Sequence, residues 1–212
     1  MEITNPLAEN YIEKFSSPHA AFLQQVLDAT NAHHPQAHMV SGAVQGQFLR
    51  LISKMVKPLK VLEIGTFTGF SALCFAEGLQ TNGEIHTIEL REEDAATAQN
   101  NFNNSSYKEN IKLHVGDAKN IIPTLEHTWD IVFIDADKTS YINYYELTLP
   151  QLRNNGILLV DNVLFHGQVL DEIISGKNAK AIHDFNTHVA NDIRTEQVIL
   201  SVRDGISFIR KI

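Results

Sequence analysis

From Lys60 onward, short apolar runs alternate with longer segments whose apolar residues recur at helical spacing. A strand buried on both faces reads as a continuous apolar run, whereas an amphipathic helix repeats its apolar residues every three to four positions. The apolar runs predict strands at 61–64, 85–88, 111–115, 131–134 and 157–160. The segments between and after them predict helices at 71–79, 92–102, 120–125, 142–149 and 179–193. This alternation indicates an α/β fold, a doubly wound parallel sheet with helices on both faces.

The end of the chain departs from the alternation. Two β-rich runs, 197–202 and 206–209, flank Asp204-Gly205, which is a strong signal for a two-residue hairpin. The pattern therefore predicts that the last strand runs antiparallel to its neighbour.

The first 58 residues read as helical. Asn5-Pro6 and Ser17-Pro18 each place a capping residue before a proline, which favours a helix start at each point. A third apolar face runs from Val44 to Met55 and is closed by Lys57-Pro58. We expect one domain spanning 1–212, with an N-terminal helical cap over 1–58 and an α/β core over 59–212.

Composition and charge narrow the class of partner. The chain has 212 residues, is 43% hydrophobic and carries a formal net charge of −8, so it can bury a sizeable core and has no general attraction to polyanions. A small-molecule partner is favoured over nucleic acid. The single cysteine, Cys74, cannot form an internal disulfide, and no segment resembles a leader or a membrane span. We expect a cytoplasmic protein that does not bind membranes.

Polar side chains follow two of the predicted strands at the point where each strand ends. Asp135 follows the strand at 131–134, and Asp161-Asn162 follows the strand at 157–160. The carboxyl ends of parallel strands open into a shared crevice, and oxygen ligands of this kind suit a hard cation such as Mg²⁺. Lys138, three residues beyond Asp135, would lie within reach of the metal's other ligands.

A glycine loop, Gly65-Thr66-Phe67-Thr68-Gly69, joins the first strand of the core to its helix. Its spacing fits neither the dinucleotide fingerprint nor a Walker loop, and on its own it would be read as an ordinary tight turn. Glu89 ends the second strand, where a carboxylate can accept both ribose hydroxyls, and Gly116-Asp117-Ala118 ends the third. Together these tips suggest a nucleoside site without phosphate chemistry, which fits S-adenosylmethionine better than NAD or ATP.

These motifs resemble those of the class I S-adenosylmethionine-dependent methyltransferases, and within them the cation-dependent O-methyltransferases that include the caffeoyl-coenzyme A and catechol enzymes. The resemblance extends from about Met39 to the C-terminus, and the paired Asp-Ala-Asp-Lys and Asp-Asn tips are its most specific part. It implies a Rossmann-like sheet of seven strands with the last strand reversed. Phe165 departs from the tryptophan common at this position in the plant enzymes.

The resemblance also implies roles for individual residues. The metal ligands would be Asp135, Asp161 and Asn162, holding Mg²⁺, with Mn²⁺ or Ca²⁺ as alternatives. Lys138 would be the general base, acting beside Asp135. The cofactor would contact Val40, Glu63, Gly65, Thr66, Phe67, Ser71, Glu89, Asp117, Ala118 and Asp135. Glu63 and Gly65 would border the methionine part, Ser71 its carboxylate, and Asp117 with Ala118 the adenine.

The function that these residues favour is methylation of one hydroxyl of a vicinal diol, such as a catechol, with assistance from the metal. Two alternatives stay open at this point: methylation of a hydroxylated nucleoside in RNA, and a non-catalytic nucleotide-binding regulator on the same scaffold. We also expect a homodimer, because the N-terminal helices carry apolar faces beyond what one sheet needs.

Some polar residues are better explained without chemistry. Asp137 is predicted to cap the next helix or to orient Lys138 rather than to bind metal. The ten histidines show no zinc-ligand spacing, so we expect them to be solvated. Cys74 falls on an apolar helix face, which indicates core packing.

Overall fold

The computed structural model describes residues 5–212. Its helices are α1 (Pro6–Phe15), α2 (Ala21–His33), α3 (Gly42–Val56), α4 (Phe70–Ala76), α5 (Glu92–Asn103), α6 (Ala118–Ile121), α7 (Tyr141–Thr148) and α8 (Lys177–Ala190). Its strands are β1 (Lys60–Ile64), β2 (Glu84–Glu89), β3 (Ile111–Val115), β4 (Trp129–Ile134), β5 (Leu152–Asp161), β6 (Thr195–Leu200) and β7 (Ile206–Lys211). Short 3₁₀ turns lie at Ala37–Met39, Ile122–Thr124, Lys138–Ser140 and Phe165–Leu170.

The seven strands form one sheet in the order β3-β2-β1-β4-β5-β7-β6. The first five strands are mutually parallel, and β7 pairs antiparallel with both β5 and β6. This confirms the predicted doubly wound sheet with a reversed last strand. The strand order changes direction between β1 and β4, and in such sheets a crevice opens beyond the carboxyl ends of these two strands.

Two apolar clusters cover the two faces of the sheet. One is built around α4 and includes Phe75 and Phe133, whose ring centroids are 5.7 Å apart. The other includes Trp129, Tyr145 and Phe185, from β4, α7 and α8. The predicted helices on both faces are therefore present. Cys74 is fully buried in the first cluster, which confirms its assignment to the core.

The N-terminal helices lie mainly against α4. Leu23 and Val26 of α2 and Leu49 and Ile52 of α3 are buried in the same cluster as α4. The cap at Asn5 is confirmed, because its side chain accepts a hydrogen bond of 2.9 Å from the N–H of Leu7. The predicted start at Ser17-Pro18 is wrong: α2 begins at Ala21, without a side-chain cap.

The connection between β6 and β7 is longer than the two-residue turn predicted at Asp204-Gly205. β6 ends at Leu200 and β7 begins at Ile206, which leaves residues 201–205 between them. The backbone carbonyls of Asp204 and Gly205 accept hydrogen bonds from Leu164 and Val163, at 2.9 and 3.1 Å. The connection is thereby held against the segment that follows β5, which is why it cannot close as a minimal hairpin.

Within residues 5–212, no helix combines the length and the apolar character needed to cross a bilayer.

Candidate functional site

A cavity of about 840 Å³ opens beyond the carboxyl ends of the parallel strands. Its volume lies within the range of sites that bind small molecules and cofactors. The structure brings nearly all predicted site residues to its wall: Val40, Gly65, Thr66, Phe67, Ser71, Glu89, Asp117, Ala118, Asp135, Lys138, Asp161 and Asn162. These residues come from six separate parts of the chain, so the fold has gathered them into one site.

The carboxylate of Glu89 shapes the glycine loop. Its Oε2 accepts hydrogen bonds from the backbone N–H groups of Thr66, at 3.1 Å, and Phe67, at 2.7 Å. Phe67 has a φ of 50°, a left-handed conformation that costs energy for a bulky residue. The loop is therefore held in a strained shape by the acid at the tip of the next strand.

The glycine loop also packs tightly against the tip of β4. A Cβ at Gly65, whose φ is 99°, would lie 1.9 Å from the backbone oxygen of Asp135. Nearby, the backbone N–H of Asp135 donates to the carbonyl of Ile64 at 2.9 Å. Only glycine permits this approach of the loop to the strand tip.

Glu63 does not reach the cavity wall, which corrects its expected place beside the methionine part of a cofactor. The loop leaves the sheet only after Ile64, so Glu63 lies one residue too deep and is fully buried. Its Oε2 accepts a hydrogen bond of 2.5 Å from Thr87. Burial, opposed by the hydroxyls of Ser71 and Thr87, raises the pKa of Glu63 to about 8. Glu63 thus lies beneath the loop in surroundings that favour its neutral form.

The end of the cavity near β3 is lined by Gly116, Asp117, Ala118 and Lys119. Asp117 caps α6, since its side chain accepts a hydrogen bond of 2.9 Å from the N–H of Lys119. This contact occupies one carboxylate oxygen and fixes the turn. The resemblance described above implies that this turn lies beside the adenine of the cofactor.

Lys138 connects the tips of β4 and β5. Its Nζ lies 3.0 Å from Oδ1 of Asp135, 2.7 Å from Oδ1 of Asn162 and 2.7 Å from the hydroxyl of Tyr141. Burial disfavours the ammonium, but the Tyr141 hydroxyl and the carboxylates of Asp135 and Asp161 outweigh it and raise the pKa of Lys138. In this arrangement Lys138 is a protonated cation held among oxygen atoms.

Asp161 is buried at the end of β5. Its Oδ2 accepts a hydrogen bond of 2.8 Å from Nε2 of Gln45, and its Oδ1 accepts one of 2.8 Å from the backbone N–H of Asn162. Burial and the nearby charge of Asp135 raise the pKa of Asp161 to about 7, against the opposing effects of Gln45, Lys138 and Asn162. Two carboxylates that repel each other in this way favour the presence of a cation between them.

The donor set at these two tips fits a divalent metal. Asp135 and Asp161 supply carboxylate oxygens and Asn162 supplies an amide oxygen, which are the ligand types that Mg²⁺ and Ca²⁺ prefer. The Asp135 and Asn162 oxygens already converge on one cationic nitrogen, that of Lys138. Asn162 has a φ of 59°, a left-handed conformation that asparagine tolerates better than most residues.

Several residues of this site have no local signal in the sequence that predicts their contacts. Gln45 of α3 is one of them, and its side chain donates a hydrogen bond to Asp161. Tyr141 donates a hydrogen bond of 3.0 Å to the backbone oxygen of Asp161. The outer wall adds His166, Asn178 and Arg203, together with Phe165, which the sequence had marked only as a departure from the plant enzymes. Arg203 stands beside the Asp204-Gly205 turn signal, which could have directed attention to it.

Asp137 and several histidines are placed by other contacts. Asp137 accepts a hydrogen bond of 2.5 Å from the Tyr144 hydroxyl, so it orients α7. The expectation of solvated histidines is wrong for His34, which pairs with Asp94 at 2.9 Å. It is also wrong for His86, which is buried against the rings of His114 and His127 because the sheet face there is covered by aromatic residues.

One group of acids and histidine outside the cavity has the spacing of metal ligands. Glu146, His188 and Asp192 offer ligand atoms within 4.8 Å of one another. Nη2 of Arg194, however, lies 2.7 Å from Glu146 and 2.5 Å from Asp192. A guanidinium therefore already neutralises this group.

The chain is similar to known proteins both in sequence and in structure. Residues 13–212 match the protein family described as O-methyltransferase. The chain is 31% identical to a probable caffeoyl-CoA O-methyltransferase 3 of Dictyostelium discoideum, over 95% of this chain and 90% of that protein. It is 31% identical to a catechol O-methyltransferase of Niastella koreensis, over 74% of this chain and 73% of that protein. A crystal structure of an SAH-bound methyltransferase from Podospora anserina superposes with a TM-score of 0.90 and 30% identity, covering 97% of this chain and 94% of that one.

Proposed function

The chain belongs to the O-methyltransferase family, and we propose that it transfers the methyl group of S-adenosylmethionine to one hydroxyl of a vicinal diol. The proposed acceptor is a small aromatic diol of the catechol type. The proposed metal ligands are Asp135, Asp161 and Asn162, and Lys138 is the proposed base.

The observation that carries this proposal is the set of contacts around Lys138. A single side-chain nitrogen contacts both the Asp135 carboxylate and the Asn162 amide oxygen. The same Asp135 belongs to the strand tip against which Gly65 of the glycine loop packs. The residues proposed as base and metal ligands thus lie in one cavity with the loop proposed to hold the cofactor, and this arrangement supports metal-assisted methyl transfer to a hydroxyl.

Use of S-adenosylmethionine is supported by the glycine loop, by Glu89 and by two structural neighbours of the same fold. The Podospora anserina methyltransferase is described as SAH-bound, and an O-methyltransferase from Bacillus cereus is described as a complex with SAH. For this chain we propose that Glu89 binds the ribose hydroxyls through Oε1. Its other oxygen already holds the loop N–H groups.

In the proposed reaction an oxygen of the acceptor attacks the methyl carbon of S-adenosylmethionine. The C–O bond forms as the S–CH₃ bond breaks, S-adenosylhomocysteine leaves, and the hydroxyl proton passes to Nζ of Lys138. A divalent cation at Asp135, Asp161 and Asn162 would supply Lewis-acid activation of the diol and bring its two oxygens into position.

Lys138 can act as a base only if its ammonium is disfavoured. In the structure described above, neighbouring oxygens raise the pKa of Lys138. A dication that takes Asp135 and Asn162 as ligands would remove two of its partners and oppose its positive charge, so both changes lower that pKa. Tyr141, buried beside it, would keep Nζ near the reacting hydroxyl.

The names of relatives support the acceptor class, since they include caffeoyl-CoA and catechol O-methyltransferases. The test is turnover of catechol and of phenol, each with chelator alone and with added Mg²⁺. We expect turnover of catechol with Mg²⁺ only, because a lone phenol cannot offer two oxygens to the metal. Equal rates on both acceptors, or full activity in chelator, would refute the proposal.

We also propose that the protein is a homodimer. Leu7, Tyr11, Ile12 and Phe15 of α1 are exposed by between 47% and 77%, and Leu51 and Met55 of α3 are exposed by 51% and 71%. Apolar residues concentrated in this way on neighbouring helices favour burial by a second copy of the chain.

A further inference from the structure

Arg203 stands out on the outer wall of the cavity because of its backbone. It lies in the connection between β6 and β7 and has a φ of 49°, in the left-handed region that residues other than glycine seldom adopt. Strain of this kind persists where surrounding contacts enforce it, and it is found most often where a side chain serves a site. The conformation holds Arg203 at the cavity.

Hydrogen bonds fix where the guanidinium lies. Its Nη1 donates to the backbone oxygen of Val40 at 2.9 Å and lies 3.4 Å from Oε1 of Gln45. The same Gln45 side chain donates to Asp161 through Nε2. Arg203 is therefore only two hydrogen bonds away from a proposed metal ligand, on the wall of the same cavity.

The positive charge of Arg203 is not matched by an acid in the part of the chain that the structure describes. The neighbouring Asp204 turns away: its carboxylate accepts hydrogen bonds from the backbone N–H of His166, at 2.5 Å, and from Asn162, at 3.3 Å. Both recorded bonds of Arg203 use Nη1. Its Nε and Nη2 form no hydrogen bond within residues 5–212.

Space beside the guanidinium is provided by Gly42. A Cβ added there would lie 3.5 Å from Cζ and Nη1 of Arg203, an ordinary contact distance, so the backbone at Gly42 lies beside the guanidinium without crowding it. An arginine with two spare donors in a planar fork is suited to a carboxylate, which it can bind through two parallel hydrogen bonds.

We propose that Arg203 binds a carboxylate carried by the acceptor, so that the preferred substrates are anionic aromatic diols. This inference rests on the proposed function, because the metal site fixes where the two hydroxyls lie. The competing role is that of a structural tie, because Arg203 joins the β6–β7 connection to the segment before α3. The two roles differ in their dependence on acceptor charge.

The experiment compares 3,4-dihydroxybenzoate with its uncharged methyl ester, using S-adenosylmethionine and Mg²⁺. We expect the wild type to show the higher kcat/KM for the acid. Arg203→Gly removes the side chain and relieves the left-handed backbone, so it should fold. It should lower kcat/KM for the acid by roughly tenfold to a hundredfold, the usual effect of a charge-assisted hydrogen bond, and for the ester by much less. Arg203→Lys should restore part of the preference.

The matched control is Arg210→Met, on β7 but outside the cavity, where Arg210 pairs with Glu196. It should retain the wild-type preference. Equal losses on both acceptors in Arg203→Gly would show a structural tie and overturn the inference, as would a wild-type preference for the ester. If neither acceptor is methylated, the proposed function fails. Calorimetric titration of both compounds into the protein with S-adenosylhomocysteine and Mg²⁺ then decides the inference, which requires tighter, Arg203-dependent binding of the acid.

Discussion

The carboxylate of Glu89 accepts a hydrogen bond of 2.7 Å from the backbone N–H of Phe67, across 22 positions of sequence. The same oxygen also accepts from Thr66, so one carboxylate at the tip of β2 organises the loop that follows β1. Glu89 is thus proposed to serve the cofactor in two ways, by binding the ribose and by shaping the loop around it.

Replacing Glu89 should therefore weaken cofactor binding. Glu89→Ala removes the acceptor of three backbone N–H groups, those of Thr66, Phe67 and Arg91, as well as the proposed ribose contacts. We expect the affinity for S-adenosylhomocysteine to fall by about tenfold to a hundredfold, and less in Glu89→Gln, which keeps an acceptor oxygen. Isothermal titration calorimetry measures the change. The control is Glu92→Gln, at an exposed position three residues further along the chain. Unchanged affinity in Glu89→Ala would disprove the proposed ribose contact.

Replacing Lys138 should lower the rate of methyl transfer without weakening metal binding. Lys138→Met removes the proposed base and the ammonium that now contacts Asp135 and Asn162. We expect turnover of catechol to fall by at least about a hundredfold, the usual contribution of a general base. Mn²⁺ affinity, measured by electron paramagnetic resonance, should stay the same or rise. Weaker Mn²⁺ binding together with a normal rate would contradict both roles, and Lys112→Met on the exposed side of β3 is the control.

Gln45 should matter for stability even without substrate or metal. Gln45→Leu leaves Oδ2 of the buried Asp161 without its donor, and an unsatisfied buried oxygen of this kind costs about 1 to 3 kcal/mol. Urea unfolding in the presence of chelator should show this loss. Gln25→Leu, on the exposed side of α2, should change the free energy of unfolding by less than about 0.5 kcal/mol. If the two variants lose equally little, the contact is unimportant.

The cluster formed by His86, His114 and His127 predicts that the stability of the protein depends on pH. Burial, together with the charges of His127 and His114, lowers the pKa of His86 from 6.5 to about 4. Between these two pH values His86 binds a proton in the unfolded chain but not in the folded protein. The free energy of unfolding should therefore fall as the pH is lowered from about 6.5 to 4, by up to about 3 kcal/mol.

Urea unfolding at pH 7 and pH 4.5 tests this dependence. In His86→Phe the decrease between the two pH values should be smaller than in the wild type. His183→Gln, at an exposed position on α8, should retain the wild-type decrease. A parallel decrease in all three proteins would assign the acid sensitivity to other groups.

The proposed homodimer can be tested through the exposed apolar residues of α1. Light scattering at micromolar concentration should give twice the mass of the 23.8 kDa chain. Tyr11→Glu combined with Phe15→Glu should shift the mass towards the monomer, because burying two charges in an apolar interface is costly. Asp184→Lys, at an exposed position on α8, is the control. A wild-type monomer would refute the proposal.

The sheet was predictable because its strands are buried on both faces. Residues 131–134, for example, form a continuous apolar run, and such a run has few other places in a fold. Helix starts were less certain, since Ser17-Pro18 has a cap signal that tertiary packing overrides in favour of Ala21. Local capping is worth only about 1 kcal/mol, which packing easily exceeds.

The residues at the strand tips were also predictable, since parallel strands bring their carboxyl ends to one edge. Glu63 was predicted to contact the cofactor because the sequence does not show at which residue the loop leaves the sheet. A difference of one residue places a side chain either at the cavity or in the core. Gln45 and Arg203 reach the site from distant segments, at separations of 116 positions to Asp161 and 163 positions to Val40. No local pattern encodes such contacts, which depend on how the cap packs.

The close packing of Gly65 against the backbone of Asp135 has a consequence for how the two substrates meet. The loop proposed to hold the methyl donor and the strand tip proposed to hold the acceptor's metal share a van der Waals contact of their main chains, with no side chain between them. Neither the glycine loop nor the tip of β4 can move without displacing the other. On the proposed function, the backbone would thus fix the relative position of donor and acceptor before either molecule binds, which suits an in-line transfer that tolerates little displacement.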